Sequence, residues 1–116
     1  MHSAKDDYAV DRVDAEGYEP DIVDGAQLGE FHQIEPMGGS ADKLDVCLWR
    51  SEPATLPYLF EGDEAFYVVE GAATVGLPDT GEEVELCAGD VAYFRAGTRS
   101  IWTFTQPFKK FTVIAN

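Results

Sequence analysis

Two stretches carry the residues whose types and spacing could do chemistry: FEGDEAFYVVEG at 60–71 and AGDVAYFRAGTRSIW at 88–102. Each interleaves charged side chains with glycines and aromatic residues, in the manner of the two halves of a metal-binding site. Neither contains a histidine. The only histidines of the chain, His2 and His32, lie outside both stretches. Cys47 and Cys87 are too few for a disulfide framework and sit in apolar, strand-like runs, so both read as buried free thiols. No Ser/His/Asp triad, Cys/His pair or phosphate-cradling glycine loop is readable. A carboxylate and a serine alone do not make a catalytic set.

Composition narrows the partners. The length of 116 residues fits one domain, and 45% hydrophobic with 12% aromatic residues suits a folded globule. A net charge of -14 argues against nucleic acid and against an anionic membrane surface, both of which need a basic footprint. No apolar run approaches the roughly 20 residues that span a bilayer. The start, MHSAKDDYAV, lacks the basic and apolar regions of a signal peptide, so a cytoplasmic location is expected. The charge is uneven: nothing acidic follows Asp90, whereas Arg95, Arg99, Lys109 and Lys110 lie beyond it. That basic end could meet the acidic front half in a dimer, draw an anionic ligand to a pocket, or simply be solvated.

The elements that must position these residues are strands. From DVCLWR onward, AFYVVEG, AATVGL, EEVELCAG, VAYFRAG, SIWTFT and KKFTVIAN each have strand length and composition. PDTG between the second and third predicts a hairpin, and AGD and RAGT punctuate the next connections. No helix-period segment intervenes, so an antiparallel sandwich or barrel is expected over 44–116. Period-2 alternation puts Glu64, Phe66 and Val68 on one face, and Ser100, Trp102 and Phe104 on one face of a later strand. Alternation alone does not say which face looks inward. Residues 1–43 are acidic and glycine-punctuated, fitting an arm packed on the barrel or on a partner subunit, with a helix over 6–16 as the alternative to an extended chain.

This order of strands and turns resembles the cupins, whose fold is the double-stranded β-helix, or jelly-roll barrel. Glu64, six residues and Gly71 match the second half of the first cupin motif. Gly89, five residues and Arg95-Ala96-Gly97 follow the second, with arginine in place of proline. Within that superfamily the chain is most similar to small single-domain cupins grouped with ureidoglycine aminohydrolase and ethanolamine-utilisation proteins. Trp49, Glu64, Tyr67, Val68, Glu70, Gly71, Gly89, Asp90, Gly97, Trp102, Lys109 and Lys110 occupy the places that group shares.

The resemblance implies a site and also shows where the chain departs from it. The early histidine places of the cupin motif hold Tyr58 and Phe60, and the late one holds Ser100, leaving Glu64 alone of four metal ligands. One carboxylate with two hydroxyls is a poor metal site, so neither metal nor cofactor is expected. The resemblance places Glu64 inside the barrel as the candidate catalytic group, with Trp49, Tyr58, Phe60, Phe66, Ser100 and Trp102 as candidate ligand-binding residues. Arg95 and Arg99 are expected at the mouth, where they could clamp an anionic group. Desolvation among rings would raise the pKa of Glu64. The implied function is binding of a small polar or anionic metabolite in a metal-free pocket. Alternatives are an enzyme of the aminohydrolase or ethanolamine-utilisation kind acting through Glu64, and an interaction oligomer with a filled barrel. Open sheet edges lead us to expect a homodimer.

Overall fold

In the computed structural model, which describes residues 3–4, 8–34 and 43–116, the chain is built of strands, with no helix among the described residues. A short ribbon pairs β1 (Ser3–Ala4) with β2 (Ala9–Val10). Ten further strands follow: β3 (Glu19–Val23), β4 (Ala26–Gln33), β5 (Leu44–Ser51), β6 (Ala54–Leu59), β7 (Asp63–Glu70), β8 (Ala72–Leu77), β9 (Glu82–Cys87), β10 (Val91–Phe94), β11 (Arg99–Phe104) and β12 (Phe108–Ala115). They form a six-stranded sheet in the order β10-β7-β12-β5-β4-β3 and a four-stranded sheet in the order β6-β11-β8-β9. Every pairing is antiparallel. This is the jelly-roll arrangement expected of a cupin barrel.

Alternation decides what each strand contributes. Glu64, Phe66 and Val68 of β7 are buried while Asp63, Ala65 and Tyr67 are exposed. Ser100, Trp102 and Phe104 of β11 and Phe108, Lys110 and Thr112 of β12 are likewise turned inward. The core joins Phe60, Phe66, Val68, Val75, Leu86, Trp102, Phe104 and Phe108 from both sheets. The hairpin at 78–81 closes as its residues demand, with Gly81 at φ 76° donating its N–H to the Leu77 carbonyl at 2.8 Å. Gly71 is required more strictly: at φ 85°, a Cβ there would lie 2.2 Å from the Pro107 carbonyl oxygen.

Within residues 1–43, residues 19–33 are β3 and β4 of the six-stranded sheet, and Gly29 lets β4 run close under Trp49 (a Cβ would meet its ring at 2.4 Å). Residues 8–18 hold β2 and a turn at 13–14 rather than a helix; residues 6 and 7, the start of the alternative helix, lie outside the described residues. This stretch is tied to the outer side of the sheet by His32, which contacts Asp11 at 2.7 Å and the Gly17 carbonyl at 3.2 Å, and by Lys109, which donates to the Val13 carbonyl at 3.0 Å. Cys47 is buried as expected, but Cys87 is exposed, because Leu86 takes the inward position at the end of β9.

Candidate functional site

β12 lies between β5 and β7, so its inward side chains stand at the middle of the larger sheet. Lys110 is opposite Trp49 on one side and Val68 on the other, and Thr112 is opposite Cys47 and Phe66. A register shift between Lys109 and Lys110 locally bends the pairing with β7. From the facing sheet, β6 supplies Tyr58 and Leu56, and β11 supplies Trp102. β6 is an edge strand, which is why it tolerates Pro57 at its middle.

These side chains converge on Glu64. Tyr58 Oη donates to Glu64 Oε1 at 2.6 Å, while Lys110 Nζ at 2.7 Å and Thr112 Oγ1 at 2.6 Å donate to Oε2. The Lys110 and Glu64 side chains are only 6% and 1% exposed. Four aromatic rings surround the ammonium, with centroids at 4.7 Å (Phe66), 4.9 Å (Trp102), 5.3 Å (Trp49) and 5.5 Å (Tyr58). Cation–π attraction and the carboxylate together offset the cost of burying this charge.

The electrostatics reverse one expectation. Burial by itself would push Glu64 upward, as the sequence suggested, but the Lys110 charge and the hydrogen bonds from Lys110, Thr112 and Tyr58 outweigh it, holding the carboxyl below its ordinary pKa. Glu64 is therefore an ionised, fully bonded carboxylate, not a poised acid. Tyr58 is raised by burial and by the adjacent Glu64, so its phenol keeps the proton it donates. Burial also pushes the Cys47 thiol up to about 12, which leaves it unreactive.

A cavity of about 320 Å³ opens beside this cluster. Its apolar wall includes Leu28, Phe31, Trp49, Leu56, Trp102 and Ile114; its polar groups are Asp21, Gln33, Asp45, Tyr58, Glu64, Lys110 and Thr112. Burial raises the pKa of Asp21 against the opposing pull of the Trp49 indole N–H, which donates to its Oδ2 at 3.2 Å, and of Lys110.

The predicted residues divide. Glu64, Trp49, Tyr58 and Trp102 line the cavity together. Phe60 and Phe66 belong to the core, Phe60 stacked on Phe94 at 4.6 Å and 11°. Ser100 lies behind the wall, donating to the Tyr58 carbonyl at 2.7 Å and accepting from the Trp102 indole N–H at 3.1 Å. Arg95 and Arg99 are exposed and absent from the lining, and Arg99 instead pairs with Asp79 on the surface. His32 faces the opposite side of β4 from Phe31 and Gln33, away from the cavity. Lys110, Thr112, Asp21 and Asp45 are the residues that sequence reasoning missed. The signal for two of them was present: in FKKFTVIA, alternation puts Phe108, Lys110 and Thr112 on one face.

The residues do not fit a metal of the cupin kind. Phe60 is a core ring, the Ser100 hydroxyl is committed to Tyr58 and Trp102, and Glu64 is committed to three donors, one of them a cation. Among the described residues no group of three or more His, Cys, Asp or Glu side chains is arranged to hold a metal ion.

Comparison with known proteins agrees with the fold. The family described as the EutQ-like cupin domain matches residues 39–111. A crystal structure of a DUF861 family protein from Thermotoga maritima is 26% identical over 56% of this chain and 73% of that one, with a TM-score of 0.54. The Clostridium difficile EutQ protein superposes with a TM-score of 0.64 at 13% identity, covering 79% of this chain and 71% of that one. A putative ethanolamine utilization protein Q from Salmonella typhimurium LT2 gives a TM-score of 0.60 at 19% identity over 85% and 94% of the two chains. A search of curated proteins gave no match.

Proposed function

This chain belongs to the EutQ-like cupin domain family, and from that premise we propose that it binds a small polar ligand, without a metal, in the cavity over the Glu64–Lys110 pair. One observation carries the reading: a cavity of about 320 Å³ has a buried ammonium and carboxylate in its wall, bonded to each other at 2.7 Å. That volume is at the small end of the range for ligand pockets, about 300–1,000 Å³, and the mixture of apolar wall and few polar groups suits orientation of a small molecule. Lys110 Nζ has three donors and gives one to a described protein acceptor, Glu64. Its other two N–H groups make no hydrogen bond to a described residue.

Turnover by Glu64 acting as acid or base is the weaker reading, because the carboxylate is held ionised and its oxygens are occupied. A metabolite screen by thermal shift on wild type and Lys110→Met tests the proposal. A compound that stabilises wild type in a saturable way and leaves Lys110→Met unmoved supports it. Stoichiometric transition metal bound through Glu64 would refute it. We also propose pairing of two copies, supported by the exposed Tyr67, Val91 and Tyr93 on the outer face at the β10 edge. A monomer by light scattering would refute that.

A further inference from the structure

We propose that residues 8–18 form a strap across the outer face of the six-stranded sheet, closed while His32 carries a proton on both ring nitrogens and loosened when it gives one up. The strap is separate from the ligand cavity, which lies on the other face of β4.

The first ground is the hydrogen-bond chemistry of His32. Its Nε2 lies 2.7 Å from Asp11 Oδ2, and its Nδ1 lies 3.2 Å from the Gly17 carbonyl. A carbonyl and an ionised carboxylate only accept. A neutral imidazole has one N–H, so either tautomer would turn a bare lone pair toward one of these oxygens. Only the imidazolium donates to both. Solvent does little to screen the pair, because the Asp11 side chain is 2% exposed and that of His32 16%. The bond to Asp11, helped by that to Gly17, outweighs burial and holds the pKa of His32 above its ordinary value.

The second ground is how few other contacts hold the strap. Among the described residues, no backbone–backbone hydrogen bond joins 11–18 to the sheet, and Ala15 donates only within the strap, to Arg12. Two other side chains reach across: Lys109 of β12 donates to the Val13 carbonyl at 3.0 Å, and the Arg50 guanidinium of β5 lies 3.6 Å over the Tyr18 ring. The Tyr18 hydroxyl is buried with no hydrogen-bond partner among the described residues, a cost that opening relieves. Of these anchors, His32 is the one whose type titrates near neutral pH.

The surrounding charges are otherwise engaged or exposed. On the strap, Asp11 also accepts from the Arg12 backbone N–H, Arg12 pairs with Asp14, and Glu16 is exposed. Glu19 at the start of β3 is exposed as well. Glu30 of β4 accepts from Arg50 at 2.9 Å, and Lys109 stands opposite Arg50 on one side and Glu70 of β7 on the other. Burial raises the pKa of Tyr18, whose ring lies 5.8 Å from that of His32, so this phenol keeps its proton through the neutral range. Because the folded pKa of His32 is raised, its hold on the strap is fully present below 6.5, the ordinary value, and is lost as pH rises through the higher folded value.

The strap also closes one end of an apolar row. Cross-strand partners on the outer face run His32, Leu48, Phe111, Tyr67 and Val91 over β4, β5, β12, β7 and β10. Exposure rises along that row from 1% at Leu48 to 76% at Val91. Opening the strap would lengthen the surface already bare at the β10 edge.

The test uses the full chain with alanine methyls labelled with carbon-13. The Ala15 methyl follows the strap backbone, and Ala73, buried in the core, is the internal control. The His32 ring proton gives its titration between about pH 5.5 and about pH 9, while methyl order parameters give mobility. We expect a His32 midpoint above 6.5, with the Ala15 order parameter falling from about 0.85 to below about 0.6 through the same midpoint and Ala73 unchanged. In Asp11→Asn the two midpoints should fall together, and an Ala15 methyl mobile at every pH in that variant would support the pairing as well. A wild-type His32 midpoint at or below 6.5 would overturn the proposal. So would an Ala15 order parameter in wild type that does not change as His32 loses its proton.

Discussion

One half of this barrel is packed shut and the other half is hollow, although the same strands build both. In the packed half Phe60, Phe94, Phe66, Phe104 and Phe108 meet ring against ring, with neighbouring centroids at 4.6 Å for Phe60–Phe94 and 4.8 Å for Phe104–Phe108. In the hollow half the inward positions of β5 and β12 carry Asp45, Cys47, Thr112 and Lys110, side chains too short or too polar to fill the space across to β6. Phe66 and Trp102 form the boundary, each packing in the core and presenting a ring to the Lys110 ammonium. The comparison teaches that alternation only delivers side chains to the interior. Their size and polarity then decide whether the interior becomes core or site.

Breaking the packed half should have the largest effect. Phe60 is wholly buried among rings, so Phe60→Ala should cost about 4 kcal/mol in denaturant unfolding, yet leave the ligand response of the folded fraction intact. Breaking the pair in the hollow half comes next. Glu64→Gln leaves the Lys110 charge without its partner and should cost about 3 kcal/mol, because Tyr58 and Thr112 can still bond the amide.

The pH dependence of that second loss has a definite sign. The folded pKa of Glu64 is depressed, so its contribution is fully present above the ordinary glutamate value of about 4.3 and disappears as pH falls through the lower folded value. The stability gap between wild type and Glu64→Gln should therefore close in acid, as followed by urea melts across pH. A gap that widens in acid would contradict the pairing.

Two smaller changes sharpen the contrast. Leu56→Phe adds a ring to the cavity wall and should alter stability by under about 1 kcal/mol while abolishing ligand-induced stabilisation. Arg99→Ala removes an exposed, solvent-screened pair with Asp79 and should leave the urea midpoint and the ligand response unchanged. Ligand loss in Arg99→Ala would return that arginine to the site.

Much of the barrel was legible in the sequence, and the reasons follow particular residues. Glu64-Phe66-Val68 and Ser100-Trp102-Phe104 alternate cleanly, and both triplets face inward. β3 and β4 were hidden because their acidic, glycine-broken sequence shows no period, while their backbones still pair into the sheet, with a register shift between Pro20 and Ile22. β6 was hidden by Pro57, which an edge position tolerates. At the site, Glu64 was legible but its state was not: the lysine that fixes it comes from a strand 46 residues later, a pairing no local spacing reveals. Arg95 and Arg99 misled for the converse reason, since their charge suggested a role that their exposed positions, after β10 and at the start of β11, do not serve.

The central claim is that the hollow half is organised around an internal ion pair. Carbon-13 NMR of the Glu64 side-chain carboxyl, followed as pH is lowered, tests it most directly. The account predicts the shift of an ionised carboxylate persisting below about 4.3, where an ordinary glutamate takes up its proton. Protonation at or above that value would contradict it.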